Sequence, residues 1–168
     1  EQTGYAAFAR EAAAAGVDGV LTVDLPPEEG NELVAELAEH ALDPIWLVAP
    51  TTSNERIRAI CDHARGFVYY VSLKGVTGAA TLDIDSVSSH VESIRSATQL
   101  PVGVGFGVRD GADAGRLGEV ADAVVVGSAL VSRIAEHVDD QPALLAAVSE
   151  ITHDLRHGLD AATAEALP

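Results

Sequence analysis

Five short apolar segments recur along the chain, and stretches with helical patterns separate them. Each segment is rich in Val and Ile, and its apolar residues run on instead of alternating with polar ones. That pattern is typical of parallel β-strands, which are covered on both faces. The segments are residues 17–25, 44–50, 66–73, 101–107 and 121–127. They predict five strands of a parallel sheet.

The spacing of these segments indicates repeated βα units. Residues near their starts lie 22 to 34 positions apart, which is the length of one strand, one helix and their connections. These residues are Val20, Ile45, Val68, Val102 and Val124.

One helix signal follows the second predicted strand. Thr52 and Glu55 have the spacing of a capping box, with Thr52 as the N-cap. Ile57 and Ile60 follow at helical spacing, and we expect Gly66 to end this helix.

Other stretches also predict helices. Residues 5–15 predict a helix that Gly16 ends, and the sequence Pro-Pro-Glu-Glu at residues 26–29 suits a first helical turn. Apolar residues at helical spacing mark a later crossover helix and a helix in the tail. They are Val87, Val91 and Ile94 in the first, and Leu144, Leu145, Val148, Ile151 and Leu155 in the second.

This alternation predicts an α/β fold with a single domain over residues 1–168, because no Gly/Ser linker or charge block interrupts it. Two architectures fit the pattern: an open doubly wound sheet, or part of a TIM (β/α)8 barrel. Five strands cannot close an eight-stranded barrel. The second architecture would therefore be a partial barrel of five parallel strands with crossover helices.

Composition narrows the classes of partner. The chain has 10 Lys and Arg against 26 Asp and Glu, a net charge of −16, which disfavours nucleic acid and a polybasic membrane-surface role. No apolar run approaches the ~20 residues of a membrane-spanning helix. One cysteine, Cys61, cannot form an intrachain disulfide, which fits a cytoplasmic protein. Because the chain opens on Glu1 and contains no methionine, we expect residues upstream of Glu1 to be missing.

Glycine-rich turns follow the last two predicted strands. Gly105 and Gly107 lie at the end of the fourth strand, and Gly127 and Ser128 follow the fifth and open a helix. Glycines let backbone N–H groups approach an anion, and a helix N-terminus adds a favourable dipole. Since the carboxyl ends of parallel strands share one edge of the sheet, these turns predict a phosphate site. The alternative is that the glycines serve only packing and turns.

Other side chains near strand ends are also candidates. Tyr69 and Phe106 suit the aromatic walls of a site for a planar substrate, although core packing also explains either one. Lys74 would form a Schiff base if it were desolvated, and a solvated surface position is the alternative. Asp24 follows a strand, where a carboxylate serves in chemistry or caps the next turn.

The sequence predicts no metal site. His153 and His157 are four residues apart in the tail helix, but no Glu follows His153 and no third ligand is evident. A solvated helix face is the better interpretation of this pair. Cys61 shares a helix with His63 but not its face, so we expect Cys61 to be structural.

Several segments of the chain form a specific combination. The loop Gly-Val-Thr-Gly-Ala at residues 75–79 carries the most weight, and the other segments are residues 17–29, 47–52, 69–72, 101–107 and 124–129. In this order, and over nearly the whole chain, they resemble the α subunit of tryptophan synthase.

The resemblance implies a (β/α)8 barrel and a lyase of tryptophan biosynthesis. Such a lyase cleaves indole-3-glycerol phosphate to indole and glyceraldehyde 3-phosphate. The partner that it implies is a tryptophan synthase β subunit, which receives the indole within a heterotetramer. Pyridoxal phosphate would belong to that β subunit, and no cofactor is expected in this chain.

The resemblance also assigns substrate contacts to individual residues. The phosphate site would include Gly78, Gly107, Gly127 and Ser128, with Gly105 in the same glycine-rich turn. Tyr69 and Phe106 would border the indole, and Thr77 would belong to a mobile loop that closes over the substrate.

One departure from the family changes the expected activity. The family's two acid/base carboxylates lie in its early strand–loop units, whereas this sequence begins at the helix before the fourth strand. No residue here inherits those roles, so we expect the chain alone to be inactive and its open strand edge to favour self-association. Two alternatives remain: a class I aldolase with Lys74 as nucleophile, and a non-catalytic half-barrel that binds phosphates or a partner chain.

Overall fold

The computed structural model describes residues 3–72, 83–105 and 107–165, which form two compact units. Unit 1 is Glu1–Tyr70 with Glu92–Val102, and unit 2 is Val71–Val91 with Gly103–Pro168. The helices are α1 (Tyr5–Ala14), α2 (Asn31–Glu39), α3 (Asn54–His63), α4 (Ile84–Arg95), α5 (Gly111–Gly118), α6 (Ser128–Glu136) and α7 (Gln141–Glu165). The strands are β1 (Gly19–Leu21), β2 (Asp43–Val48), β3 (Val68–Val71), β4 (Val102–Gly105) and β5 (Ala123–Val125).

Parallel pairing keeps the strands in chain order. In unit 1, β1 pairs with β2 and β2 with β3, and in unit 2, β4 pairs with β5. Two backbone hydrogen bonds connect the β3 and β4 segments: the Val68 N–H donates to the Pro101 carbonyl at 2.9 Å, and the Ser72 N–H donates to the Gly105 carbonyl at 3.2 Å. The resulting order β1-β2-β3-β4-β5 has no reversal. It therefore excludes a doubly wound sheet, whose strand order reverses at a switch point.

All five predicted strands are present, and each is shorter than its apolar segment. Within segment 17–25 only Gly19–Leu21 is a strand. The residues beyond it lead to Pro26, which has no N–H for a sheet ladder. A 3-10 turn at Pro27–Glu29 follows and precedes α2. Proline and the two glutamates thus occupy a first helical turn, as predicted, but the turn belongs to this short 3-10 helix and not to α2.

Helix α3 begins one residue later than predicted. Its N-cap is Ser53, whose Oγ accepts the Arg56 N–H at 3.3 Å. The Thr52 Oγ1 instead accepts the Ala49 N–H at 3.0 Å, within the turn that follows β2. The predicted capping box at Thr52 is therefore wrong, because that hydroxyl is already engaged in the preceding turn.

Helices cover one face of the unit 1 strands. Buried and half-buried residues alternate along β2 and β3. The buried ones are Pro44, Trp46, Val48, Val68 and Tyr70. Both α2 and α3 pack against β2, and Gly30 leaves room for the Trp46 ring, since a Cβ at Gly30 would lie 2.6 Å from Cη2. The residues of the opposite face of β2 and β3 are half-buried.

Close packing between α5 and α7 forms the core of unit 2. Ala114 and Leu117 are buried on α5, and Ile151 and Leu155 on α7, as the tail pattern predicts. Leu145 is the exception: its side chain is 61% exposed, so helical spacing alone gives the wrong burial there. None of the helices within the described ranges combines the length and hydropathy of a membrane span.

Candidate functional site

Two turns lie next to each other at the carboxyl ends of the unit 2 strands. Gly105, the last residue of β4, is in register with Val125, the last residue of β5. The segments that follow these strands therefore begin at the same edge of the sheet. Gly107 lies in the first segment, and Gly127 and Ser128 lie in the second.

The first turn depends on a glycine. Gly107 has φ 73°, in the left-handed region that other residues rarely adopt. The chain then reaches the buried Val108 and enters α5, whose N-cap is Asp110. The Asp110 Oδ1 accepts the Asp113 N–H at 2.9 Å. The turn is thus short and ends at a capped helix.

The second turn opens α6 without a side-chain cap. Gly127 is the N-cap residue, and its carbonyl accepts the Val131 N–H at 3.0 Å. The first N–H groups of a helix have no acceptor within the helix, and they lie at the positive end of its dipole. Among the described residues, no neighbouring atom lies within 4 Å of the position that a Cβ would take on Gly127. This helix end therefore has both the polarity and the free space to receive an anion.

Tyr69 lies in unit 1, on β3, in register with Leu47 of β2. It is half-buried, and it alternates with the buried Val68 and Tyr70. Burial raises the pKa of the Tyr69 phenol, so the ring is neutral at physiological pH. A neutral, half-buried aromatic ring on a strand suits contact with a planar apolar ligand.

Four residues named from the sequence lie outside the described residues. They are Lys74, Thr77, Gly78 and Phe106. Their assignments to a Schiff base, a closing loop, the phosphate and the indole stay predictions.

The remaining candidates lie apart from the turns. Asp24 is exposed and lies three residues beyond the end of β1. His153 and His157 are on α7, and the His153 Nδ1 bonds to the Ser149 carbonyl at 2.9 Å. Among the described residues, no three His, Cys, Asp or Glu side chains are grouped to hold a metal. Burial, and then the charge of Asp62, raise the pKa of the buried Cys61 thiol, as suits a structural cysteine.

A buried carboxylate beside the first turn is not among the residues predicted from the sequence. Asp113 of α5 is 1% exposed and forms ion pairs with Arg109 at 2.9 Å and Arg116 at 2.5 Å. The hydrogen bonds from Arg109 are the largest influence and hold the pKa of this carboxyl below its usual value, although burial acts in the opposite direction. The spacing Arg-Asp-x-x-Asp-x-x-Arg over residues 109–116 was the available signal.

Known proteins match almost the whole of this chain. Residues 1–160 match the family model described as tryptophan synthase alpha chain. The tryptophan synthase alpha chain of Thioalkalivibrio sulfidiphilus is 61% identical over 160 residues, which cover 95% of this chain and 60% of that protein. That of Marinobacter nauticus is 54% identical, over 95% of this chain and 59% of that protein. The chain thus spans about three fifths of the length of these relatives.

Solved structures also match the fold of this chain. A tryptophan synthase structure from Mycobacterium tuberculosis, in space group F222, has a TM-score of 0.83 and 40% identity, over 94% of this chain and 58% of that one. The tryptophan synthase alpha chain from Legionella pneumophila subsp. pneumophila has a TM-score of 0.82 and 36% identity, over 95% of this chain and 58% of that one. The predicted fold class, part of a TIM barrel with parallel strands, is confirmed.

Sequence motifs, strand order and these matches all indicate the same family. The chain belongs to the tryptophan synthase alpha chain family.

Proposed function

We propose that this chain is the substrate-holding part of a lyase that cleaves indole-3-glycerol phosphate to indole and glyceraldehyde 3-phosphate. The match of residues 1–160 to the tryptophan synthase alpha chain family carries this proposal. Because the chain spans about three fifths of its relatives, the whole reaction needs groups from the remainder of such a protein.

The reaction requires one proton to be added and one to be removed. It breaks the carbon–carbon bond between indole C3 and the first carbon of the glycerol chain. C3 gains a proton, and the hydroxyl on that glycerol carbon loses its proton as the aldehyde forms. Carboxylates suit both transfers. By family resemblance they lie in earlier strand–loop units, so the role of this chain is to bind and orient the substrate.

The phosphate of the substrate would lie between the two turns of unit 2. Gly107 and Gly127 allow close approach to the backbone, and the N-terminus of α6 at Ser128 adds its dipole. Gly105 ends the strand that supports the first turn, and Gly78 would contribute from the loop after β3. Binding energy from this non-reacting group would orient the scissile bond.

The indole would lie against aromatic side chains. Tyr69 offers a half-buried neutral ring, and Phe106 would supply a second wall. Thr77 would lie in the loop that closes over the bound substrate and excludes water.

The family resemblance implies a partner. It would be a β subunit that consumes indole with pyridoxal phosphate, next to this chain in a heterotetramer, which would keep the apolar indole from escaping. This chain would need no cofactor of its own. Its free, buried Cys61 is compatible with a reducing cytoplasm.

Titration with glycerol 3-phosphate, followed by backbone amide chemical shifts, tests the phosphate assignment. We expect the amides of Gly78, Gly107, Gly127 and Ser128 to move, because they would donate to or surround the phosphate. Glycerol is the matched control, since it lacks only the phosphate. Shifts confined to other residues, or equal shifts with glycerol, would contradict the assignment.

A further inference from the structure

A buried carboxylate anchors the chain where the first turn meets α5. Asp113 has a side chain only 2% exposed, and its Oδ2 accepts both the N–H and the Nε–H of Arg109, at 3.3 and 2.9 Å. Its Oδ1 accepts from Nη2 of Arg109 at 3.4 Å and from Nη2 of Arg116 at 2.5 Å. Two arginines thus neutralise a carboxylate that would otherwise be costly to bury.

One of these bonds reaches outside the helix. Arg109 precedes the N-cap Asp110, so its backbone N–H belongs to the turn and not to α5. The next residues are also fixed: the Asp110 side chain accepts the Asp113 N–H, and the Gly111 N–H donates to Asp154 Oδ2 at 2.6 Å. Residues 109–111 are therefore held from several directions.

This anchoring limits the freedom of the turn itself. Gly105 is held at the other end, where its carbonyl accepts the Ser72 N–H and it lies in register with Val125. Between Gly105 and Arg109 there are only three residues, and Gly107 among them is in the left-handed region. The hydrogen bonds of Arg109 therefore restrict the backbone of Gly107 and of the buried Val108, which directly precede it.

We propose that Asp113 is a positioning residue for phosphate binding: it fixes Arg109 so that the turn through Gly107 presents its N–H groups to the anion. This inference rests on the proposed function. Asp113 does not contact the phosphate itself, but it would increase the affinity for phosphate by holding the turn in place.

Phosphate affinity of Asp113→Asn tests the inference. Glycerol 3-phosphate is titrated into the chain at a temperature where each variant is folded, and amide shifts give Kd. The matched control is Asp160→Asn, which makes the same charge change in an exposed ion pair with Arg156 on α7. We expect Asp113→Asn to raise Kd about tenfold, Asp160→Asn to leave it unchanged, and Asp113→Glu to restore most of the affinity.

A second variant tests the same inference if Asp113→Asn does not fold. Arg109→Lys keeps the positive charge and an exposed side chain but loses the Nε–H and Nη2–H bonds to Asp113. We expect it to raise Kd as well, because the turn loses part of its anchor. Unchanged Kd in folded Asp113→Asn, or in Arg109→Lys, would overturn the inference while leaving the phosphate site in place. If the unaltered chain shows no shifts at Gly107 and Ser128, the phosphate site and this inference both fail.

Discussion

Gly158 of α7 faces Gly111 of α5 so closely that a Cβ on Gly158 would collide with the Gly111 carbonyl oxygen. The contact is between two backbones, so no side-chain rotation relieves it. It brings α7 against the first turn of α5, where the Gly111 N–H donates to Asp154. The tail helix is thus packed directly on the element that follows the candidate phosphate turn.

We expect Gly158→Ala to destabilise the chain strongly. Overpacking costs about 1–3 kcal/mol, and backbone neighbours place this site at the upper end, so Tm should fall by roughly 6–12 °C. Gly118→Ala is the matched control, since its Cβ would lie 2.8 Å from Cδ2 of Leu159, the end of a flexible side chain. Thermal unfolding of both variants tests this. Equal losses of Tm would contradict the backbone contact.

The ion pairs of Asp113 predict a pH dependence of stability. Hydrogen bonds from Arg109 lower the pKa of this carboxyl in the folded state. A lowered folded-state pKa gives stabilisation that is present above the unfolded value of about 3.9 and is lost as the pH falls through the folded value. The free energy of unfolding of the unaltered chain should therefore exceed that of Asp113→Asn most at pH 7, and the gap should narrow at pH 3. Urea unfolding at both pH values measures it, and a gap that widens on acidification would contradict the ion pairs.

We expect Gly127→Ala to weaken ligand binding without changing stability. Its Cβ would meet no atom of the described residues within 4 Å, and its φ of −117° lies in the negative range that alanine adopts. Tm should therefore stay within a degree or two of the unaltered chain. If Gly127 lines the phosphate site, the added methyl group occupies ligand space and should raise Kd for glycerol 3-phosphate about tenfold or more. Calorimetric titration and thermal unfolding of the same sample give both values. An unaltered Kd would remove Gly127 from the site.

The sequence predicted the fold class because its signals are local. Runs of Val and Ile located all five strands, and the buried Val87, Val91 and Ile94 follow the predicted helical spacing. Burial at Leu145 could not be predicted this way, since it depends on which element packs against that turn of α7. The α3 cap was also misassigned, because Thr52 and Ser53 are both good caps and only the structure shows the bond from Ala49 to Thr52.

Some parts of the candidate site could be predicted from the sequence and others could not. Glycine turns after neighbouring strands indicated the phosphate edge, and the register of Gly105 with Val125 brings those turns together. The Asp113 network is local in sequence and could have been predicted from its flanking arginines. The contact between Gly111 and Gly158 could not, because it joins residues 47 positions apart with no complementary side chains.

Lys74 distinguishes this account from a Schiff-base aldolase. Chemistry by carboxylates needs no covalent adduct, so borohydride reduction in the presence of indole-3-glycerol phosphate should leave Lys74 unmodified by mass spectrometry. A class I aldolase treated in the same way is the positive control. A reduced adduct on Lys74 would show Schiff-base chemistry and would contradict a mechanism based on carboxylates.

Indole release tests the central claim, that this chain binds the substrate while the acid/base groups lie elsewhere in the protein. The 168-residue chain and a form extended at its N-terminus to the length of its relatives are assayed with indole-3-glycerol phosphate, each with and without a β subunit. General acid/base groups contribute about 10² to 10⁴ in rate, so we predict indole release from the extended form and none above background from the chain alone. Comparable turnover by the 168-residue chain would contradict the account, and Asp24 would then be the first carboxylate to replace.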